Sequence, residues 1–165
     1  MSPDVMAYVP ISAEQARLLR SSGALDGPLP AHCVTPGLLR AHDLTADAED
    51  AEYTALAYAG VSALLTMGAQ RRLVVAAEVS AEPAAGDPSD PFGRVSLDQL
   101  AFSQVTSLFA DEPDSAERLV RARGLAAGLE FEAVVDADEI ESLLDASDLL
   151  WFAPSELDRL LDPEA

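Results

Sequence analysis

The 165-residue chain contains no lysine; all ten of its basic residues are arginine. Without a lysine amine there is no Walker A phosphate loop, no Schiff-base chemistry and no lysine general base. A single cysteine, Cys33, excludes an internal disulfide and suits a reducing cytoplasm. Two histidines, His32 and His42, beside that one cysteine are too few for a four-ligand zinc site. Neither G-x-G-x-x-G nor G-x-S-x-G occurs, and no stretch has EF-hand spacing. The longest uncharged run lies between Glu52 and Arg71, broken by Thr, Ser and Gly. It is patterned as an amphipathic helix, not as the ~20 continuous apolar residues of a membrane span. The opening MSPDVMAYVP has neither a basic n-region nor a long apolar segment, so no signal peptide is expected and the expected location is cytoplasmic. There is no internal repeat.

What is present is acid and apolar bulk. Hydrophobic residues make up 49% of the chain, enough to bury a core, so a folded domain spanning 1–165 is expected rather than disorder. Twenty-nine acidic residues against ten arginines give a net charge of −19. From Glu130 to Ala165 there are twelve acids and one arginine, Arg159, a local balance of −11. Such a surface repels nucleic acid and anionic membranes and attracts a basic partner, although strong charge also serves solubility alone.

Along the chain, strand signals alternate with helix signals. Val5–Pro10 reads as a strand stopped by proline. Ser12 and Gln15 have the spacing of a capping box opening a helix to about Ser22, with Gly23 as its C-terminal cap. Asp26–Pro30 reads as loop, 31–35 as a strand, and 36–42 as a helical turn or two. The strongest helix starts near Asp47, with Tyr53, Leu56, Gly60, Leu64 and Met67 as one apolar stripe and Gly68 as its end. Residues 71–79, RRLVVAAEV, read as a strand buried on both faces. Residues 80–93 are rich in Pro, Asp and Gly without periodicity, so a flexible loop is expected. Residues 94–97 and 104–110 read as strands joined by a turn, and Asp114 as the cap of the helix that follows. Leu129–Val135 alternates as a half-exposed strand. Ile140, Leu143 and Leu144 line a short helix, 149–152 is a strand, and Pro154 begins a last helix carrying Leu157, Leu160 and Leu161. The sum is an α+β fold: a two-layer sandwich of helices on a mixed β-sheet, ferredoxin-like with additions, with a three-layer α/β arrangement as the alternative.

Several short stretches together resemble an uncharacterised family of small actinobacterial proteins, a domain of unknown function. They are Tyr8-Val9-Pro10, Val34-Thr35-Pro36 with Leu38-Leu39-Arg40, Glu52-Tyr53, residues 71–79, VTSLFADE (105–112) and LLWFAPSEL (149–157). The resemblance spans nearly the whole chain. It implies an actinobacterial cytosolic origin and a single domain, and it transfers no activity, cofactor or catalytic residue.

No catalytic constellation stands out. His32 and Cys33 are neighbours in a strand, so they point to opposite faces, and Cys33 reads as core. Cys33 with His42 is a nucleophile–base pair only if the fold joins them. The acids Asp47, Glu49, Asp50 and Glu52 crowd a helix start, which the helix dipole explains without a metal. Asp111 and Glu112, beyond a strand end, are a weak candidate site for a small hydrolytic or metal-dependent enzyme. Arg118, Arg121 and Arg123 read as partners of nearby acids. The acidic tail holds the sole tryptophan, Trp151, in DASDLLWFAPSELDRLL (145–161). The pattern favours burial of this segment; exposed, Trp151 and Phe152 ringed by Asp145, Asp148, Glu156 and Asp158 form an anchor for a protein partner. The leading expectation is therefore a non-enzymatic, regulatory interaction module that binds a protein partner of basic character. No cofactor, direct nucleic-acid contact or membrane contact is expected. The alternatives are the small enzyme and an inhibitor that mimics nucleic-acid charge.

Overall fold

The computed structural model describes residues 4–45, 49–66, 71–80 and 87–161. Six strands form one sheet: β1 (Asp4–Pro10), β2 (Ala24–Cys33), β3 (Leu73–Ser80), β4 (Arg94–Ala101), β5 (Val105–Asp111) and β6 (Leu149–Phe152), in the spatial order β4-β2-β1-β3-β5-β6. The α+β class and the helix-on-sheet sandwich are as expected. Among the described residues the sheet has no parallel component, since all five pairings are antiparallel. The chain also does not follow the βαββαβ order of a ferredoxin-like fold, since the helix between β1 and β2 returns the chain as an antiparallel neighbour.

Helices lie on both faces, the layering of the three-layer alternative. One face of the sheet (Ala7, Val9, Val75, Ala77, Leu108) packs against α1 (Ala13–Ser22) and α7 (Leu157–Leu161) through Ala16, Leu19 and Leu157. Each fully buried leucine or valine here stabilises the fold by about 1.5–3 kcal/mol. The other face (Tyr8, Val74, Ala76) packs against α2 (Pro36–Ala41) and α3 (Glu49–Thr66). Over α3 lies a third cluster, in which Leu64 meets α4 (Ala116–Ala126), α5 (Phe131–Val135) and α6 (Asp138–Asp145).

Local chemistry explains most boundaries. Ser12 Oγ accepts the Gln15 N–H and Gln15 accepts the Ser12 N–H, the expected capping box, and Gly23 ends α1 with φ 83°. Both faces of β3 are buried, as its continuous apolar run requires.

Five expectations need correction. Asp26–Pro30 is strand, not loop. This half of β2 pairs with β4 alone, so prolines lacking an N–H fit where no second ladder needs one. Residues 98–101 likewise continue β4 instead of turning. Leu129–Val135 is not a strand: Gly128 turns with φ 79°, and Phe131–Val135 forms α5 with Val134 buried and Leu129 exposed. A run this short carries either period. In α3 the buried residues are Ala51, Ala55, Ala59, Gly60, Ala63 and Leu64, so Gly60 and Leu64 of the expected stripe are buried, but an alanine row faces the sheet and Tyr53 is exposed. Small residues let the helix sit close to the strands, and larger ones stay at its flank. Met67 and Gly68 lie outside the described residues. Asp114 makes no capping hydrogen bond.

Of the expected loop 80–93, Ser80 closes β3 and residues 81–86 lie outside the described residues. Asp87–Gly93 is held by a web of bonds. Asp87 accepts the Ser89 N–H and hydroxyl, the Gly37 N–H reaches the Pro88 carbonyl, and Asp90 accepts from Phe92 and Arg94.

Candidate functional site

The sequence RR before β3 and the aspartate ending β5 come together. The Arg72 guanidinium grips both carboxylate oxygens of Asp111, from Nη2 to Oδ1 at 2.8 Å and from Nε to Oδ2 at 3.0 Å, and its N–H donates to Oδ2 at 2.7 Å. The two side chains are 4% and 0% exposed. Arg72 also donates to the Ser147 carbonyl, Arg71 Nε donates to the Asp111 carbonyl, and Arg118 donates to the Ser115 and Ser147 hydroxyls. Burying an ion pair is costly unless hydrogen bonds compensate it, and here the bidentate fork and the Arg72 N–H occupy both oxygens of Asp111. Gly60 makes room for this: a Cβ there would stand 3.0 Å from Arg72 Nη1 and 3.3 Å from Leu149 Cδ1. Asp111, read from sequence as a weak site, is therefore part of a clasp joining β3, β5 and the approach to β6. Glu112 follows it, half-buried.

Above the clasp a cleft of about 740 Å³ opens between α3, α5, α6 and β6. Leu56, Val61, Val134, Ile140, Leu144 and Leu149 give it an apolar lining, and Tyr53, 71% exposed, and Tyr58 stand along the α3 side. Arg72 and Ser147 contribute from the floor. Glu141, Asp145 and Asp148 complete the lining. Glu141 and Asp145 are one helical turn apart on α6, hence on the same face. All ten arginines are within the described residues, and none forms an ion pair with these three carboxylates. Burial, then the charges of Asp136 and Glu141, push the Tyr58 hydroxyl above its ordinary pKa.

Trp151 is 62% exposed, which corrects the expectation of burial. It stands opposite Phe109 on β6, the outermost strand, on the strand face shared with Leu149. The other sequence candidates divide. Asp145 and Asp148 join the cleft, and Trp151 lies on the adjoining strand. Phe152 packs into the main core. Glu156 accepts the Ala153 N–H at 2.8 Å and Asp158 pairs with Arg20 at 3.4 Å, both on the α1–α7 side, where they close the chain end. Sequence reasoning missed Tyr53, Tyr58 and Glu141. The alanine spacing of α3 was the available signal, because it turns Tyr53 outward and leaves Tyr58 half-buried at the helix flank.

A second cluster is sealed. His32 is buried; its Nδ1 donates to the Phe92 carbonyl at 2.8 Å, which leaves Nε2 to accept the Ser62 hydroxyl at 2.8 Å. Burial lowers its pKa, helped by Arg94, so the imidazole is neutral. Tyr58, Phe92 and Phe131 pack round it, and Arg94 stacks on Phe92 and Phe131 while pairing with Asp90 and Glu132. Cys33, on the opposite sheet face, is core, its thiol pushed up to about 11 by burial, and it does not meet His42, which instead bonds Tyr58. Of the three arginines on α4, Arg121 pairs with Glu139 and Arg118 bonds hydroxyls. Asp47 lies outside the described residues. Among the described residues no three His, Cys, Asp or Glu side chains are grouped to hold a metal ion, and no helix is long and apolar enough to cross a membrane.

The match to a family model decides where the chain belongs. It is a member of a family of unknown function (DUF6912), matched over residues 5–161. The matched span takes in the clasp, the cleft and β6. No curated protein and no solved structure matches the chain.

Proposed function

We propose that this protein is a non-enzymatic, regulatory interaction module that binds a protein partner of basic character, through the cleft beside β6. The observation that carries this reading is the trio Glu141, Asp145 and Asp148, without arginine partners, around an apolar cleft next to an exposed tryptophan. Carboxylates with no internal partner cost little in water and gain when an arginine or lysine arrives. The apolar walls and tyrosines supply area that charge alone does not. A local balance of −11 steers such a partner from a distance and turns away nucleic acid. The small-enzyme alternative finds less support, since the carboxylate it would use, Asp111, is committed on both oxygens to Arg72.

The test is a calorimetric titration with a synthetic amphipathic peptide of alternating arginine and valine. Binding is expected, weakening about tenfold or more between roughly 50 and 500 mM salt as the charges are screened. The triple variant E141Q/D145N/D148N should lose most of it. Equal binding by that variant, or no binding at low salt, would overturn the reading.

A further inference from the structure

The two outer strands of the sheet differ in what they offer. β6 pairs with β5 on one side only, and it is the end of the strand order. In an antiparallel pair only half of a strand's N–H and C=O groups face the neighbour; the rest point outward. Among the described residues, the backbone of Leu149–Phe152 makes no hydrogen bond beyond those to β5. The strand carries no charge, being Leu-Leu-Trp-Phe, and so lacks the charged side chains that usually protect an edge. It is short, about 13 Å at the usual rise per residue, and bracketed by Asp148 and Pro154, which limits stacking of sheet on sheet but leaves space for one added strand.

We propose that β6 is an acceptor edge: an extended segment of a basic partner adds to it as a seventh strand. This rests on the acidic-cleft reading above and specifies its geometry. Alternation along the added strand dictates the chemistry of the partner. Side chains directed to the face of Leu149 and Trp151 meet the indole and, across the cleft, Glu141, Asp145 and Asp148, so arginine or lysine is favoured there by both cation–π and ionic attraction. Side chains directed to the other face meet the side of Phe152 and the α7 leucines, so apolar residues are favoured. The occupant is thus a strand alternating basic and apolar residues. A second copy of this chain is disfavoured as occupant, because pairing β6 with β6 would bring together two carboxylate rims of a protein carrying −19.

The test is amide hydrogen exchange, read by NMR on the full chain, with the same arginine–valine peptide and with an aspartate–valine counterpart. Amides within Leu149–Phe152 should slow by about tenfold or more at saturating arginine–valine peptide, with β4 amides unchanged and no effect of the acidic peptide. If the basic peptide binds and is salt-sensitive but these amides do not slow, strand addition is overturned and the acidic-cleft reading stands. If no binding occurs, both fall. Slowing on β4 instead, or slowing that rises with protein concentration alone, also overturns the proposal, the latter in favour of self-pairing. Trp151→Thr keeps a strand-forming residue, and it should weaken peptide binding at least about fivefold with the free protein's melting curve unchanged.

Discussion

The two edges of the sheet use the same kinds of residue to opposite ends. At the β4 edge, aromatic rings and charges are locked together. Arg94 is bonded to Asp90 and Glu132, lies over Phe92 and Phe131, and seals a buried neutral His32; Asp98 and Gln99 stand exposed farther along the strand. At the β6 edge, the aromatic ring is exposed and the carboxylates of the adjoining cleft have no cation among the described arginines. Internal pairing makes one edge a finished surface. At the other such pairing is absent among the described residues, and on the proposed reading this is the surface offered to a partner. The clasp beneath β6 shows that this openness is local, since both carboxylate oxygens of Asp111 are bonded by Arg72.

The largest expected effect comes from breaking that clasp. Asp111→Ala leaves the Arg72 charge buried without a partner, and urea unfolding should show a loss of about 3–5 kcal/mol. A loss within the range of a surface substitution would mean the clasp does not hold the β6 side of the sheet. Next is Arg94→Ala, which removes an ion-pair network and two ring contacts. A loss of about 1–2 kcal/mol by the same measurement is expected, with peptide binding at β6 unaffected. Loss of binding as well would erase the distinction between the edges.

The pH dependence of stability separates the edges further. His32 has a lowered pKa in the folded state, so between that value and the unfolded value of about 6.5 the unfolded chain binds more protons. Its contribution is therefore fully present above about pH 6.5 and is lost as pH falls below it, at up to about 1.4 kcal/mol per pH unit. The stability difference between wild type and His32→Asn should shrink on going from about pH 7.5 to 5.5. A constant difference would mean that His32 titrates alike in both states. Asp90 behaves in the usual carboxylate sense. Burial raises its pKa, but the hydrogen bonds and charge of Arg94 outweigh this and hold it low, so its contribution is lost only in more acid solution. The smallest effect on stability is expected at Trp151, where Trp151→Ser should change unfolding free energy by less than about 0.5 kcal/mol.

Much of this was legible in the sequence. Ser12 with Gln15, Gly23, the doubly buried β3 and the strand 149–152 followed by Pro154 all carry local signals that the fold respects. What was not legible depends on partners distant in the chain. Nothing local tells Arg72 from Arg71, since only the approach of Asp111, 39 residues away, makes one of them the clasp. Phe131–Val135 is too short to declare its period, and its helix is fixed by packing on residues such as His32 and Phe92. Trp151 looks like core because both faces of LLWF are apolar; position in the sheet decides, and β6 is outermost. Charge alone groups Asp145 and Asp148 with Glu156 and Asp158, but the first two line the cleft whereas the latter two serve the opposite face through Ala153 and Arg20.

Because Trp151 is the sole tryptophan, its emission reports on the β6 edge without interference. In the free protein the indole should emit as a water-exposed ring and be readily quenched by acrylamide. Saturating arginine–valine peptide at low salt should shift the emission to shorter wavelength and protect it from quenching, and the E141Q/D145N/D148N variant should show neither change. An indole already shielded in the free protein, or one that stays equally quenchable with peptide bound, would contradict the claim that this edge is where the protein meets its partner.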